Sequence, residues 1–145
     1  MLGIGMGGFV DGILFHQILQ IHSMLSARLP QTSLVNVETS MVWDGLFHAM
    51  TWTMTAIGIA LLWHATGKRD VPRSGRALLG SILAGWGLFN LVEGTIDHHL
   101  LQIHHVVERF GMSGWDYAFL GSGLLLGVTG WSMIGASRAN RPDLH

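Results

Sequence analysis

The sequence contains no cysteine, so it has no disulfide framework, no thiolate metal ligand and no thiol nucleophile. Charge is scarce as well. Only 12% of the residues are Asp, Glu, Lys or Arg, about half the share of a soluble domain. The formal net charge of −1 argues against nucleic acid as a partner, because neutralising phosphates takes a basic face. Hydrolytic signatures are missing too: there is no nucleophile elbow, no His-Glu-x-x-His and no phosphate-binding loop. Hydrolase chemistry is therefore disfavoured, while a metal-dependent oxidoreductase stays open.

What is present is apolar length interrupted by ionisable side chains. The 145 residues suffice for one domain, and 49% of them are hydrophobic. The mean hydropathy of +0.41 is nevertheless modest, because polar groups sit inside the apolar segments. Nine of the residues are histidine. A bilayer-crossing helix needs about 20 mostly apolar residues, and four windows meet that requirement: about 2–25, 41–65, 77–105 and 114–136. The expected fold is all-α, a single transmembrane domain forming a four-helix bundle. Arg28 and Pro30 close the first window, Lys68, Arg69, Asp70 and Pro72 the second, and Trp43 and Trp115 open the second and fourth at interface-like positions.

Lys68, Arg69, Arg73 and Arg76 crowd the central connection, and Arg138 and Arg141 the tail; the other two connections carry only Arg28 and Arg109. By the positive-inside rule both termini and the central loop face the cytoplasm. The first window lacks a basic leader and is broken by Asp11, His16 and Gln17, which argues against a cleaved signal peptide. A soluble bundle would need exposed charged faces that are not there.

The polar residues also repeat. Val10-Asp11-Gly12 aligns with Val92-Glu93-Gly94 without a gap, and the alignment pairs His16 with His98, Gln20 with Gln102, and His22 with His104. Trp43-Asp44 is echoed more weakly by Trp115-Asp116. Two tandem helix-pair units follow, with equivalent helices running the same way. On continuous α-helices His22 would lie about 9 Å nearer the outer surface than His16. Asp11 and His22 would share one stripe, His16 and Gln20 a second, and Asp44 and His48 would face them from the second span.

Ionisable groups at membrane depth cost at least about 2.5 kcal/mol each if they face lipid, so they are expected to face the bundle. Imidazole and carboxylate together suit a transition metal such as Zn, Fe or Cu. The expected ligands are His22, Asp44, His48, Asp97, His98 and His104, supported by Asp11, His16 and Glu93. The spacing does not reproduce the Glu-x-x-His motif of di-iron bundles. A haem held between His16 and His98 is a lesser alternative. Others are a proton or cation path through the same residues, or a structural subunit fastened by polar contacts. His64, His99 and His145 fall outside these stripes. Gly3-x-Gly5-x-x-Gly8 follows no strand and reads as a helix-packing face, not a dinucleotide loop. The scattered methionines read as packing residues.

Three segments also carry a resemblance. Gly8-Phe9-Val10-Asp11-Gly12-Ile13-Leu14-Phe15-His16-Gln17-Ile18-Leu19-Gln20, Asn90-Leu91-Val92-Glu93-Gly94-Thr95-Ile96-Asp97-His98-His99-Leu100-Leu101 and Asp44-Gly45-Leu46-Phe47-His48 resemble the motifs of a bacterial membrane family of unknown function, DUF2243. The resemblance covers nearly the whole chain. It implies a four-span protein of the bacterial inner membrane, and it says nothing of chemistry. Ile21-His22-Ser23 departs from it, standing where an aromatic residue and a histidine pair are expected. The partners implied are the lipid bilayer and, for so small a chain, a second copy or a larger membrane complex.

Overall fold

The computed structural model describes residues 1–68 and 73–139. Arg69, Asp70, Pro72, Arg141 and His145, which entered the sequence argument, lie outside the described residues. The described chain is all-helical. Helix α1 (Leu2–Val10) continues directly into a π-helical stretch, Asp11–Ile18. Helix α2 runs over Leu34–Thr66, and α3 (Gly75–Glu93) again runs on into a π-helical stretch, Gly94–Leu100. A single 3-10 turn, Glu108–Phe110, precedes α4 (Gly114–Ala139).

Local chemistry sets two of these starts. The Ser33 hydroxyl accepts from Asn36 N at 3.3 Å and the Ser74 hydroxyl from Ala77 N at 3.2 Å, so each serine caps an otherwise unpaired N–H at the head of α2 and α3. The first cap lets α2 begin at Leu34, earlier than the hydropathy window at 41. Three helices, Leu34–Thr66, Gly75–Leu100 and Gly114–Ala139, are long and apolar enough to cross a membrane; Leu2–Ile18 is a shorter apolar helix.

The first and third windows end earlier than expected. Instead of running to residues 25 and 105, the helices stop at Ile18 and Leu100, and the chain turns back at Gln20 and Gln102, each with φ 48°. Ile21 N then bonds Phe15 O at 3.1 Å and Ile103 N bonds Asp97 O at 2.9 Å. The two returning segments cross-bond: Ala27 N donates to Ile103 O, and Glu108 N to Ile21 O.

Helix α1 packs against α2 and α3, and α3 against α4. Small residues allow these approaches. A Cβ on Gly5 would lie 2.7 Å from the Thr51 carbonyl of α2, and one on Gly87 would lie 2.5 Å from the Gly123 carbonyl of α4. Close backbone contact of this kind is how helices associate where no hydrophobic effect drives them together.

The interior is polar and the exterior apolar. Among the described residues the buried large apolar side chains are Phe47, Phe89 and Val106, whereas Asp11, His16, His22, Asp44, Glu93, His98, His104 and Asp116 are all buried. Trp63, Leu125, Val128 and Trp131 are well exposed. A soluble bundle would reverse this distribution.

Candidate metal centre

The π-helical turns bring the carboxylates over the histidines. Asp11 and His16, like Glu93 and His98, are five residues apart and would point well apart on an α-helix. In a π turn the N–H bonds the carbonyl five residues back, and side chains at that spacing meet. Asp11 Oδ2 accordingly lies 3.2 Å from His16 Nε2, and Glu93 Oε1 lies 3.1 Å from His98 Nε2. The two stripes expected from α-helical geometry therefore merge into one cluster.

The returning segments supply the other two rings. His22 folds back until its ring centroid is 4.5 Å from that of His16, in place of the axial separation expected on a continuous helix. The His22 and His104 rings stack, with centroids 4.8 Å apart and planes at 15°. His104 also meets the His98 ring at 4.9 Å, and its Nε2 is 2.8 Å from Glu93 Oε1.

Three of these four rings are hydrogen-bonded from behind, and His98 has a carboxylate nearby without a hydrogen bond. His16 Nδ1 lies 2.9 Å from Asp44 Oδ1, and His98 Nδ1 3.3 Å from Asp116 Oδ1. His22 Nδ1 lies 2.9 Å from the Val106 carbonyl, and His104 Nδ1 3.3 Å from the Met24 carbonyl. The His16, His22 and His104 contacts are hydrogen bonds to acceptors, so Nδ1 donates there and a neutral His16 or His22 ring carries its lone pair on Nε2. His98 Nδ1 makes no hydrogen bond, and His104 Nε2 also meets an acceptor, Glu93 Oε1. The same carboxylates tie down the backbone: Met24 N donates to Asp44 Oδ1 at 2.8 Å and Val106 N to Asp116 Oδ1 at 3.1 Å. Phe47 stacks on His16, and Phe119 packs on His98.

The inward-facing atoms are short of partners. Both Asp11 oxygens, Glu93 Oε2 and the Nε2 atoms of His16, His22 and His98 are buried without a hydrogen bond. Two triads of donor atoms lie close enough together to hold an ion: His16, His22 and His104, and Glu93, His98 and His104, with His104 common to both. Lone pairs on Nε2 facing carboxylate oxygens repel unless a cation or a proton stands between them. Among the described residues every ion pair joins a histidine to a carboxylate, so no Lys or Arg supplies that positive charge.

Of the residues expected from sequence to bind metal, His22, His98 and His104 come together, joined by His16, Asp11 and Glu93. Asp44 stands behind His16. His48 turns its Nδ1 to the Asp44 carbonyl at 2.7 Å and rests against Gly12, apart from both triads. Asp97 is half-buried beside the cluster and outside both triads. Asp116 was visible in sequence only through the Trp-Asp echo of Asp44, yet its Oδ1 lies 3.3 Å from His98 Nδ1. His99 is bonded locally to Gly94 O at 2.7 Å. A porphyrin between His16 and His98 would have to displace the His22 and His104 rings that pack against both.

No curated protein and no solved structure matches the chain. The family DUF2243, described as a predicted membrane protein, matches residues 1–137. With its polar interior, apolar exterior and long apolar helices, the chain belongs to that family of membrane proteins.

Proposed function

We propose that the protein binds a transition metal within the bundle, through Asp11, His16 and His22 from one half and Glu93, His98 and His104 from the other. The observation that carries this reading is the orientation of the four rings. Nδ1 of His16, His22 and His104 is bonded to an acceptor, and the unpartnered Nε2 atoms of His16, His22 and His98 are buried with Asp11 and Glu93 in a centre that wants a cation. Nitrogen and carboxylate donors suit Zn, Fe or Cu, and Asp44 and Asp116 behind the rings match the outer carboxylates that orient metal-bound histidines. Metal handling or redox chemistry follows from such a centre.

On the same reading the chain is two tandem helix pairs crossing the membrane four times. The recurrence of the Asp11–His16 contact as Glu93–His98, and of the Met24 N–Asp44 bond as Val106 N–Asp116, supports this arrangement. The Lys and Arg distribution supports placing the termini in the cytoplasm of a bacterial inner membrane.

The test is elemental analysis of detergent-purified protein made without a histidine tag, beside a His22→Ala/His104→Ala variant. Stoichiometric metal that vanishes in the variant is the expected result. A folded wild type without metal, after growth in supplemented Zn, Fe and Cu, would overturn it. The second reading takes up that outcome. Imidazolium rings would satisfy the same carboxylates and make the cluster a proton or cation path, and Asp11→Asn would then abolish flux in liposomes.

A further inference from the structure

Beside the histidine cluster is a second chemical environment that shares Glu93 with the proposed metal centre and contains Asp97, which that centre leaves unused. A cavity of about 390 Å³ lies between α2 and α3, and Glu93 and Asp97 form its acidic wall. Met24, Phe47, Met50 and Phe89 supply much of the rest. Its rim is apolar and exposed: Leu88, Val92 and Ile96 belong to the outer surface of the protein. The volume falls in the range of small-molecule sites, which are typically apolar with a few placed polar groups.

The acidic wall is short of donors. Glu93 turns Oε1 toward His98 and His104, while Oε2 is buried without a partner. Asp97 is half-buried and, among the described residues, belongs to none of the histidine–carboxylate pairs. The residue aligned with it in the other half is Phe15, so the carboxylate is peculiar to this side of the bundle. Carboxylates in an apolar wall call for a hydroxyl or amine donor. Phe47 and Phe89, with ring centroids 6.0 Å apart, and two flexible thioethers make the remaining surface one that favours an aromatic ring over a simple alkyl chain.

We propose that this cavity binds a lipid-soluble hydroxyaromatic molecule of the hydroquinone type, entering from the apolar surface. Its ring packs against Phe47 and Phe89, its hydroxyl donates to Asp97 or Glu93, and its tail leaves past Leu88 and Val92. Taken with the proposed metal centre, on which this step rests for its purpose, the bound ring stands one carboxylate away from His98 and His104. Binding itself requires only the cavity.

The experiment is a titration of the full-length protein in nanodiscs with decylhydroquinone under anaerobic conditions, with decylbenzene and decanol as comparison probes. Metal content is measured on the same samples. Saturable binding of the hydroquinone, with both comparison probes weaker, is the expected result. Asp97→Leu should weaken binding about tenfold or more, the loss of a charge-assisted hydrogen bond. Met50→Trp should block it by filling the cavity, and both variants should keep the metal content of the wild type. Equal binding of decylbenzene would overturn the proposal and leave an acyl groove. Equal binding of decanol would remove the aromatic preference and overturn it as well, as would wild-type affinity in both variants. Hydroquinone binding with these preferences in a metal-free protein supports the cavity while refuting the metal centre. A metal-loaded protein that ignores the probe overturns the cavity alone.

Discussion

Asp44, on α2, holds His16 by its Nδ1 at 2.9 Å with the same oxygen that accepts the Met24 N–H at 2.8 Å. One carboxylate thus fixes a ring on the π-helical stretch and the backbone of the returning segment, whose Met24 carbonyl in turn faces His104 Nδ1. Asp116 likewise accepts from Val106 N, and its Oδ1 lies 3.3 Å from His98 Nδ1 without a hydrogen bond. Asp44→Ala should therefore weaken metal binding without abolishing it, by about 10- to 100-fold for loss of an outer carboxylate. It should also cost about 1–3 kcal/mol of stability, because Met24 N is left unsatisfied. Chelator competition measures the first effect and detergent unfolding the second. An unchanged metal affinity would show that Asp44 does not position the centre.

On the proposed tandem arrangement His16 and His98 are equivalent, so matched substitutions should have matched consequences. His16→Ala and His98→Ala are each expected to lower metal content to a comparable degree, and the double variant should hold none. Elemental analysis on folded, monodisperse samples decides it. A centre emptied by His98→Ala but indifferent to His16→Ala would confine the ion to Glu93, His98 and His104, and the contribution of the first half would be rejected.

The residues that meet in the cluster were legible because ionisable residues in apolar segments stand out and align without a gap. Glu93 under Asp11 and His98 under His16 are visible in the letters alone. The geometry that joins them was not. Nothing in Asp11-Gly12-Ile13-Leu14-Phe15-His16 distinguishes a π turn from an α turn, and α-helical spacing put Asp11 and His16 on different faces. The reversals were hidden for a related reason. Gln20 and Gln102 take positive φ where a glycine would have advertised the turn, and Ile18, Leu19 and Ile21 prolong the apolar run across it. His48 illustrates the opposite error. Its spacing from Asp44 suggested a shared face, and the two do share it, but the His48 ring bonds the backbone of its own helix.

Helix association here depends on missing side chains. A Cβ at Gly87 would meet the backbone of Gly123 and Gly127, which cannot swing aside. Gly87→Val and Gly5→Val should each prevent recovery of a monodisperse protein on size exclusion. Gly121→Ala and Gly135→Ala, where nothing lies within 4 Å, should leave it unaffected and retain metal. Normal recovery of Gly87→Val would show that α3 and α4 do not need this close approach.

Gln20 bears the cost of reversing the chain. At φ 48° a residue with a Cβ is strained, by an amount on the order of 1–3 kcal/mol, while glycine adopts the conformation freely. The Gln20 side chain is exposed, so its replacement removes no buried contact. Gln20→Gly should therefore match or exceed the wild type in unfolding midpoint and keep its metal. Gln20→Val, with a branched Cβ least tolerant of positive φ, should lose about 1–2 kcal/mol and some metal with it, because His22 reaches the centre only if the chain turns at Gln20. Equal behaviour of the glycine and valine variants would mean that the reversal is not what delivers His22.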